Sequence, residues 1–229
     1  MRIYCLGDIH GCYAEFDYAL SLFQDQLEDS GTMLVLLGDY IHGRTENKVV
    51  LDKIISLQNK YGYDKVVALL GNHEELCIKG SSTIDEQNPS YEDDYGDDEY
   101  YISWFENLPR HYVEGNTIFV HAGIDEAAGD LWELSTDDYT YTNKFPADLG
   151  KVEGLDMKIV AGHIHTSQIT DNPRFNDIFH DGENHYYIDG DVLSTGEIPV
   201  LMVDTDEDKY YRVTPNGMYE IEPYNEEDY

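Results

Sequence analysis

Five short segments of the chain combine glycine with side chains that can bind metal ions or carry protons. They read GDIHG at 7–11, GDY at 38–40, GNHE at 71–74, HAG at 121–123 and GH at 162–163. Each segment follows an apolar run of the kind that forms a buried strand. Because ligands of open α/β sheets collect at the carboxyl ends of strands, we expect the five segments to meet in space. The sequence therefore predicts one functional site distributed over five loops.

The side chains in these segments favour a pair of transition-metal ions. The candidate ligands are Asp8, His10, Asp39, Asn72, His121 and His163. Carboxylates mixed with neutral imidazoles suit manganese, iron or zinc better than calcium or magnesium, which prefer shells made only of oxygen. Six ligands exceed what one ion with open positions would use, and a carboxylate such as Asp39 can bridge two ions. We expect two divalent ions, with manganese favoured and iron or zinc as alternatives.

The elements that must position these loops alternate between strand and helix. Apolar runs predict a strand before each segment, at 2–6, 32–37, 65–70, 117–120 and 158–161. Helical spacing of apolar residues predicts helices over 13–28 and 49–58. This alternation indicates an α/β architecture in which most neighbouring strands are parallel.

Two other regions have different patterns. Residues 81–100 are rich in Asp, Glu, Ser and Tyr and poor in aliphatic side chains, which predicts a loop or a polar insertion. Tyrosines there could line a cleft, although packing is the more common use of tyrosine. The final third alternates apolar and polar residues around a Pro-Asn-Gly turn at 215–217, which favours antiparallel strands.

Composition bounds the class of protein. The 229 residues are 41% hydrophobic, which suffices for one core, so we expect a single domain over 1–222 and a frayed acidic tail at 223–229. The formal net charge of -33 would repel nucleic acid and anionic membranes, so neither is an expected partner. The chain enters a predicted strand at once, lacks an apolar run of membrane-spanning length and has an odd number of cysteines. These features predict a cytoplasmic protein without a disulfide framework.

The five segments, in this order, resemble the signature of the phosphoprotein phosphatase family of calcineurin-like metallophosphoesterases. The resemblance extends from Gly7 to about Asp189. It implies an α/β fold in which a β-sandwich of mixed sheets is flanked by helices in αββα layers. It also implies one ion held by Asp8, His10 and Asp39, and a second held by Asp39, Asn72, His121 and His163.

The resemblance further implies an acid catalyst in the GNHE segment. His73 matches the family's general acid, which would protonate the leaving group while a metal-bound water attacks phosphorus in line. Asn72 could also contact a phosphate oxygen. Glu74 matches a carboxylate behind the ligands and would orient a ligand or His73.

The sequence departs from the family pattern after Asp39. The family usually reads GDYVDRG, whereas this chain reads GDYIHGR at 38–44, so His42 replaces the aspartate that would pair with His73. Unlike an aspartate, His42 could orient His73 or repel it if both are charged. Arg44 is displaced by one position and would reach a bound phosphate only if the loop bulges at Gly43.

Other positions have weaker functional interpretations. A second family arginine has no counterpart in LWELS at 131–135, and Lys144 is at best a distant substitute. His165 is expected to be a solvated loop histidine rather than an extra ligand. The Asp189-Gly190 pair is expected to form a structural turn. His111, His180 and His185 lie outside the motifs and are expected to be surface or structural residues.

Three functional hypotheses follow from these residues. The first is hydrolysis of phosphate monoesters, with phosphoserine or phosphothreonine of proteins as substrate, which GNHE favours. The second is a symmetrical bis(5'-nucleosyl)-tetraphosphatase, whose opening motif also resembles GDIHGCY but which often has Asp after GNH. The third is a metal-binding relative with weakened catalysis, because His42 replaces a carboxylate and an arginine is missing. The physiological substrate and the oligomeric state stay open.

Overall fold

The computed structural model describes residues 1–85 and 95–228, and two β-sheets packed face to face form its centre. The strands are β1 Arg2–Leu6, β2 Thr32–Leu36, β3 Val66–Ala68, β4 His111–Glu114, β5 Thr117–Val120, β6 Lys158–Ala161, β7 Phe179–His180, β8 His185–Tyr187, β9 Val200–Asp204, β10 Lys209–Thr214 and β11 Gly217–Glu220. The α-helices are α1 Tyr13–Ser21, α2 Asn47–Tyr61, α3 Asn72–Ile78, α4 Tyr95–Phe105, α5 Trp132–Ser135, α6 Asp138–Asn143, α7 Thr166–Ile169 and α8 Val192–Thr195. Short 3-10 helices lie at Gln24–Glu28, Glu126–Leu131 and Glu226–Asp228.

Both sheets mix parallel and antiparallel pairs. The first has the order β11-β10-β9-β1-β2-β3, with β1, β2 and β3 parallel and β9 to β11 antiparallel. The second has the order β4-β5-β6-β8-β7, with β5, β6 and β8 parallel and the two outer strands antiparallel. The expected fold of mixed sheets flanked by helices is confirmed. The prediction of antiparallel strands in the final third holds for β9 to β11, whereas β8 pairs in parallel with β6.

The core between the sheets explains why the strands are apolar on both faces. Ile3 and Cys5 of β1 face the second sheet, where Phe119 and Val160 meet them. The alternate residues of β1, such as Tyr4, pack beneath the helices on the outer face. A strand buried on both sides reads as a continuous apolar run. Complete burial of each such aliphatic side chain contributes about 1.5 to 3 kcal/mol.

Helices cover the outer faces of both sheets. Phe16 of α1 and Leu51 of α2 pack on the first sheet, and Trp132 and Tyr141 pack on the second. The predicted single helix over 13–28 is wrong in one respect, because it divides at Phe23, whose φ of -146° is not helical. The Phe23 ring stacks on Tyr4 at a centroid distance of 4.3 Å. The helical spacing of apolar residues persists across the break because both pieces cover the same core.

The polar insertion predicted at 81–100 is partly helical. Helix α4 begins at Tyr95, inside that range, and its buried residues Tyr101 and Phe105 lie near its end. The sequence obscured this helix because its apolar residues follow a long acidic stretch. Tyr101, one position beyond the predicted insertion, donates a hydrogen bond to Asp52, whereas Tyr100 within it is exposed. Tyr91, also considered for a cleft, lies outside the described residues.

The end of the chain contacts the second sheet. Within the segment expected to be frayed, the Tyr224 ring packs against Phe175 and Phe179 at centroid distances of 4.8 and 5.6 Å. The Tyr224 N–H donates to the carbonyl oxygen of His180. The division into one domain and a tail stays a prediction. Among the helices of residues 1–85 and 95–228, none combines the length and apolar character needed to cross a membrane.

Candidate active site

The structure brings the five predicted segments together at the carboxyl ends of the parallel strands of both sheets. The backbone N–H groups of Ile9 and His10 both donate to the carbonyl oxygen of Asp39. The His163 N–H donates to Asp8 Oδ1 at 3.0 Å, and the His73 N–H donates to Asp39 Oδ1 at 3.0 Å. These hydrogen bonds join loops that are as far apart as 155 positions in sequence.

Unusual backbone conformations aim the site residues inward. His10, Asp39, His42 and His163 have φ values of 51°, 53°, 67° and 64°, a left-handed region that costs an ordinary residue about 1 to 3 kcal/mol. Gly71 is also required, because a Cβ atom there would lie 2.3 Å from the backbone nitrogen of Asp39. Four such residues in one cluster indicate a shape selected for function at the expense of stability.

The first group of donors surrounds the terminal amide of Asn72. One amide atom lies 2.9 Å from His121 Nε2, 3.1 Å from His163 Nδ1 and 3.0 Å from Asp39 Oδ2. Two ligands about 2.1 Å from a shared ion lie roughly 3 to 3.4 Å apart, so this spacing fits a common cation. An amide NH2 in this position can donate to its neighbours, whereas an amide oxygen there would face the lone pairs of its neighbours, which a shared cation would satisfy. These residues therefore fit a divalent ion.

The second group lies on the side of Asp8 and His10. Asp8 Oδ2 lies 3.9 Å from His10 Nε2, and His10 Nδ1 lies 3.2 Å from the carbonyl oxygen of Ile41. That carbonyl can hold the hydrogen of His10 on Nδ1, which leaves Nε2 free to bind a metal. His10, Asp39 and His73 also offer ligand atoms within 4.8 Å of one another. Asp39 belongs to both groups, as a bridging carboxylate would.

Several buried carboxyl groups lie close together at the site. Burial raises the pKa of Asp8 well above its usual value, and the charges of Asp189 and Asp39 raise it further. The pKa of Asp39 is lowered, because the charges of His121, His73 and His10 outweigh the effect of its burial. This concentration of carboxylates favours the binding of cations.

Glu74 supports the site from behind, through the first of the two alternatives that the sequence left open. Its carboxylate accepts hydrogen bonds from the N–H groups of Asp39, Tyr40 and Gly71 at 2.9, 2.8 and 3.1 Å. It therefore orients the candidate ligand Asp39 through the backbone of its loop and makes no described hydrogen bond to the His73 ring. Burial, and then the charge of Asp39, raise the pKa of Glu74 to about 8.

His42 lies beside His73, as its position in the sequence predicted. The two Nδ1 atoms are 2.8 Å apart, and His42 Nε2 lies 2.8 Å from the carbonyl oxygen of Thr83. The side chain of His73 is 30% exposed, and its Nε2 atom lies 3.7 Å from Asp39 Oδ2. Burial lowers the pKa of His73, while the charge of Asp39 opposes the shift. His73 thus has one nitrogen at the candidate ion site and the other on His42.

The two candidate cationic side chains differ in availability. Arg44 is exposed, and its Nη2 atom lies 3.5 Å from the carbonyl oxygen of Leu193. Its backbone N–H donates to the carbonyl oxygen of His10, which keeps the Arg44 loop at the site. Lys144 is unsuitable as a substitute arginine, because its ammonium group is paired with Glu126 and Asp148 and donates to the carbonyl oxygen of Ile124.

Two residues, Asp189 and His165, lie at the site although the sequence did not predict them there. Asp189 is 3% exposed, and its Oδ2 atom is buried without a hydrogen-bond partner among the described residues. His165, expected to be solvated, lies between Asp189 and Asp191, with N···O distances of 3.6 and 3.7 Å. Asp189 Oδ1 does accept the N–H of Asp191, so the predicted turn also exists. The sequence did contain a signal for Asp189, because this residue follows β8 just as each of the five segments follows its strand.

Comparison with known proteins agrees with this arrangement. The family model of calcineurin-like phosphoesterases matches residues 1–195. A symmetrical bis(5'-nucleosyl)-tetraphosphatase from Nitrosospira multiformis is 31% identical over 132 residues, which cover 54% of this chain and 44% of that protein. The chain therefore aligns with less than half the length of this relative.

Two solved structures share the fold at low identity. A cold-active protein tyrosine phosphatase superposes with a TM-score of 0.68 at 15% identity, covering 97% of this chain and 79% of that one. A protein serine/threonine phosphatase from Saccharomyces cerevisiae superposes with a TM-score of 0.61 at 14% identity, covering 98% of this chain and 81% of that one. With the match of the family model over most of its length, the chain belongs to the calcineurin-like phosphoesterase family.

Proposed function

We propose that this protein is a hydrolase that cleaves phosphate esters or phosphoanhydrides with two divalent metal ions. The ligands in this proposal are Asp8, His10, Asp39, Asn72, His121 and His163. The observation that carries it is that two imidazole nitrogens and the Asp39 carboxylate each lie 2.9 to 3.1 Å from one atom of the Asn72 amide. Manganese is the first ion to test, followed by iron and zinc.

The side chains would divide the work of hydrolysis. When bound, the ions would supply positive charge for the phosphate and lower the pKa of a water molecule. Asp39 would hold both ions, because its carboxylate lies between the two donor groups, and Glu74 keeps its loop in place. His73, partly exposed at the site, would give a proton to the leaving oxygen. Arg44 could bind a phosphate oxygen if its side chain turned from Leu193.

Two substrate classes are supported by different observations. The sequence relatives are named symmetrical bis(5'-nucleosyl)-tetraphosphatases, which supports a dinucleoside polyphosphate. The presence of His42 beside His73, where the family pattern has a carboxylate, agrees with it, because a phosphoanhydride leaving group departs with less need of a proton than an alkoxide does. Phosphoserine or phosphothreonine stays the second candidate, on the strength of GNHE, and the phosphatase structures support only the fold.

The test is a substrate panel on the purified chain loaded with manganese. We expect turnover of an aryl phosphate, and faster turnover of diadenosine tetraphosphate than of a phosphoserine peptide. Cleavage into two nucleoside diphosphates, seen by chromatography, would identify the symmetrical reaction. Faster turnover of the peptide would favour the protein-phosphatase alternative. A chain that binds two manganese ions yet hydrolyses none of the three would contradict the proposal and support the metal-binding alternative.

A further inference from the structure

The hydrogen-bond partners of His42 determine which of its nitrogens carries a proton. His42 Nε2 lies 2.8 Å from the carbonyl oxygen of Thr83, and a carbonyl oxygen can only accept. A hydrogen must therefore lie on Nε2. The Ser82 hydroxyl, 3.1 Å from the same nitrogen, can accept as well. In the neutral ring, Nδ1 of His42 is then without a hydrogen and is an acceptor.

The same reasoning extends to His73. The Nδ1 atoms of the two rings are 2.8 Å apart, so one proton lies between them. Because Nδ1 of His42 is the acceptor, His73 must donate from its own Nδ1. The remaining nitrogen of His73, Nε2, faces Asp39 and the candidate ion site. When His42 is neutral, the hydrogen bonds therefore run in one direction. His73 donates to His42, and His42 donates to the carbonyl oxygen of Thr83.

We propose that His42 is a positioning residue, which the Thr83 carbonyl holds as the Nε2–H tautomer so that it accepts a hydrogen bond from Nδ1–H of His73. This arrangement makes Nε2 the only atom from which His73 can release a proton toward the site. The hydrogen bonds do not depend on the proposed hydrolase function, but their kinetic effect rests on it.

The proton transfer that this arrangement directs is balanced. A water oxygen bonds to phosphorus and the bond from phosphorus to the leaving oxygen breaks, with its electron pair staying on the leaving oxygen. The Nε2 proton of protonated His73 then moves to that oxygen, while the attacking water gives up a proton to the solvent. His73 is left neutral with its hydrogen on Nδ1, which is the tautomer that His42 accepts.

The surroundings of His42 make this arrangement specific. His42 is 9% exposed, and its backbone N–H donates to Asn47 Oδ1 at 3.0 Å. Asn47 Nδ2 donates to the carbonyl oxygen of Ile84 at 2.8 Å, so one buried side chain joins the His42 loop to the segment that holds Thr83. Asn47 itself is 3% exposed. Asn47 therefore helps to hold the Thr83 carbonyl oxygen, the acceptor for His42, which lies 41 positions from His42 in sequence.

The direct test is nitrogen-15 NMR of the imidazole rings in the unaltered chain, without metal. We expect His42 to be the Nε2–H tautomer, with a hydrogen-bonded Nδ1–H signal on His73. A hydrogen on His42 Nδ1, or no coupling between the two rings, would overturn the proposal. Since this readout needs no turnover, it stays decisive if the chain proves not to be a hydrolase.

Kinetics of variants provide the second test. His42→Phe removes the acceptor and should lower kcat for an alkyl phosphate by about 10² to 10⁴, while KM and the kcat for an activated aryl phosphate change less than about threefold. His42→Asp supplies an acceptor at the same position and should restore much of the loss. The matched control is His111→Phe, the same replacement on the second sheet. Equal losses on both substrates in His42→Phe, or no rescue by His42→Asp, would contradict the positioning role.

Discussion

Two regions of this molecule bury a carboxylate beside histidine rings, but the pKa of the carboxyl group shifts in opposite directions in the two regions. Asp181 directly follows β7 of the second sheet. It accepts hydrogen bonds from His185 Nδ1 and from three backbone N–H groups, at distances between 2.7 and 3.1 Å. Within the described part of the chain, Asp8 in the candidate active site accepts one hydrogen bond, from the backbone of His163. Burial acts to raise the pKa of both carboxyl groups. The donors around Asp181 lower its pKa to about 2, whereas the neighbouring carboxylates raise that of Asp8.

The difference separates a structural carboxylate from a functional one. Asp181 is complete within the protein, since its donors satisfy its charge. Asp8 shares its surroundings with Asp39 and Asp189, whose negative charges raise its pKa. A cation would complete it. The following predictions test this contrast, beginning with the largest expected effect.

Removing the charge of the shared carboxylate should have the largest effect on activity. Asp39→Asn takes a ligand from both proposed ions, so the affinity for metal should fall by more than the roughly 10- to 100-fold typical of changes behind the ligands. Turnover should fall below detection at micromolar metal. The matched control is Asp181→Asn, which should bind metal normally. Full activity in Asp39→Asn would show that Asp39 does not bridge.

Replacing the proposed acid should affect substrates unequally. His73→Asn should lower turnover by about two to four orders of magnitude on esters with poor leaving groups, and much less on activated aryl phosphates. Metal content, measured on the same samples, should be unchanged. Because His73 also lies within 4.8 Å of His10 and Asp39, a loss of bound metal would instead identify it as a ligand.

Glu74 should influence the site through the backbone. Glu74→Gln keeps the shape of the side chain but turns an NH2 group toward at least one backbone N–H donor. The donors at this position belong to Asp39, Tyr40 and Gly71. An unmatched buried donor costs about 1 to 3 kcal/mol, which chemical denaturation can measure. Metal affinity should fall by about 10- to 100-fold because the Asp39 loop shifts. A variant with the stability and metal affinity of the wild type would show that Glu74 does not hold the Asp39 loop in place.

The structural carboxylate should reveal itself in the dependence of stability on pH. The pKa of Asp181 is depressed from 3.8 in the unfolded chain to about 2, so the charged form stabilises the fold above about pH 4. That contribution is lost as the pH falls toward 2. Partial solvent screening reduces it to about 1 to 2 kcal/mol. The stability difference between wild type and Asp181→Asn should therefore narrow between pH 4 and 2, and a constant difference would contradict the assignment.

The smallest effect concerns the net charge of -33, which repels an anionic substrate at long range. Raising the ionic strength from about 0.01 to 0.15 M shortens the screening length from roughly 30 to 8 Å. We expect kcat/KM for a phosphate ester to rise by up to about tenfold, with kcat unchanged. A fall in kcat/KM would show that local positive charge already dominates the approach of the substrate.

Much of the fold followed from local patterns in the sequence. Strands β1, β5 and β6 have the predicted bounds, because short apolar runs that end at a glycine or at a site histidine leave few alternatives. Strand β4 was not predicted, since its residues are half-buried or exposed and it lies at the edge of its sheet. An edge strand carries a weaker apolar signal than a central one.

The candidate site was predictable in its residue types and less so in its contacts. Spacing after strands identified Asp8, Asp39 and His121, because strand ends converge. The partner of His42 could not be predicted, since the Thr83 carbonyl belongs to the backbone and leaves no mark on residue type. Asp189 was interpreted as a turn because a single Asp-Gly pair is common in turns, and its burial depends on tertiary packing.

Counting the ions tests the central claim most directly. Equilibrium dialysis of the unaltered chain against manganese, followed by elemental analysis and electron paramagnetic resonance, gives both the number of bound ions and their coupling. The account predicts two ions per chain with a spin-coupled spectrum, because Asp39 would bridge ions about 3.5 to 4 Å apart. One ion per chain, or two with the spectrum of isolated manganese, would contradict it.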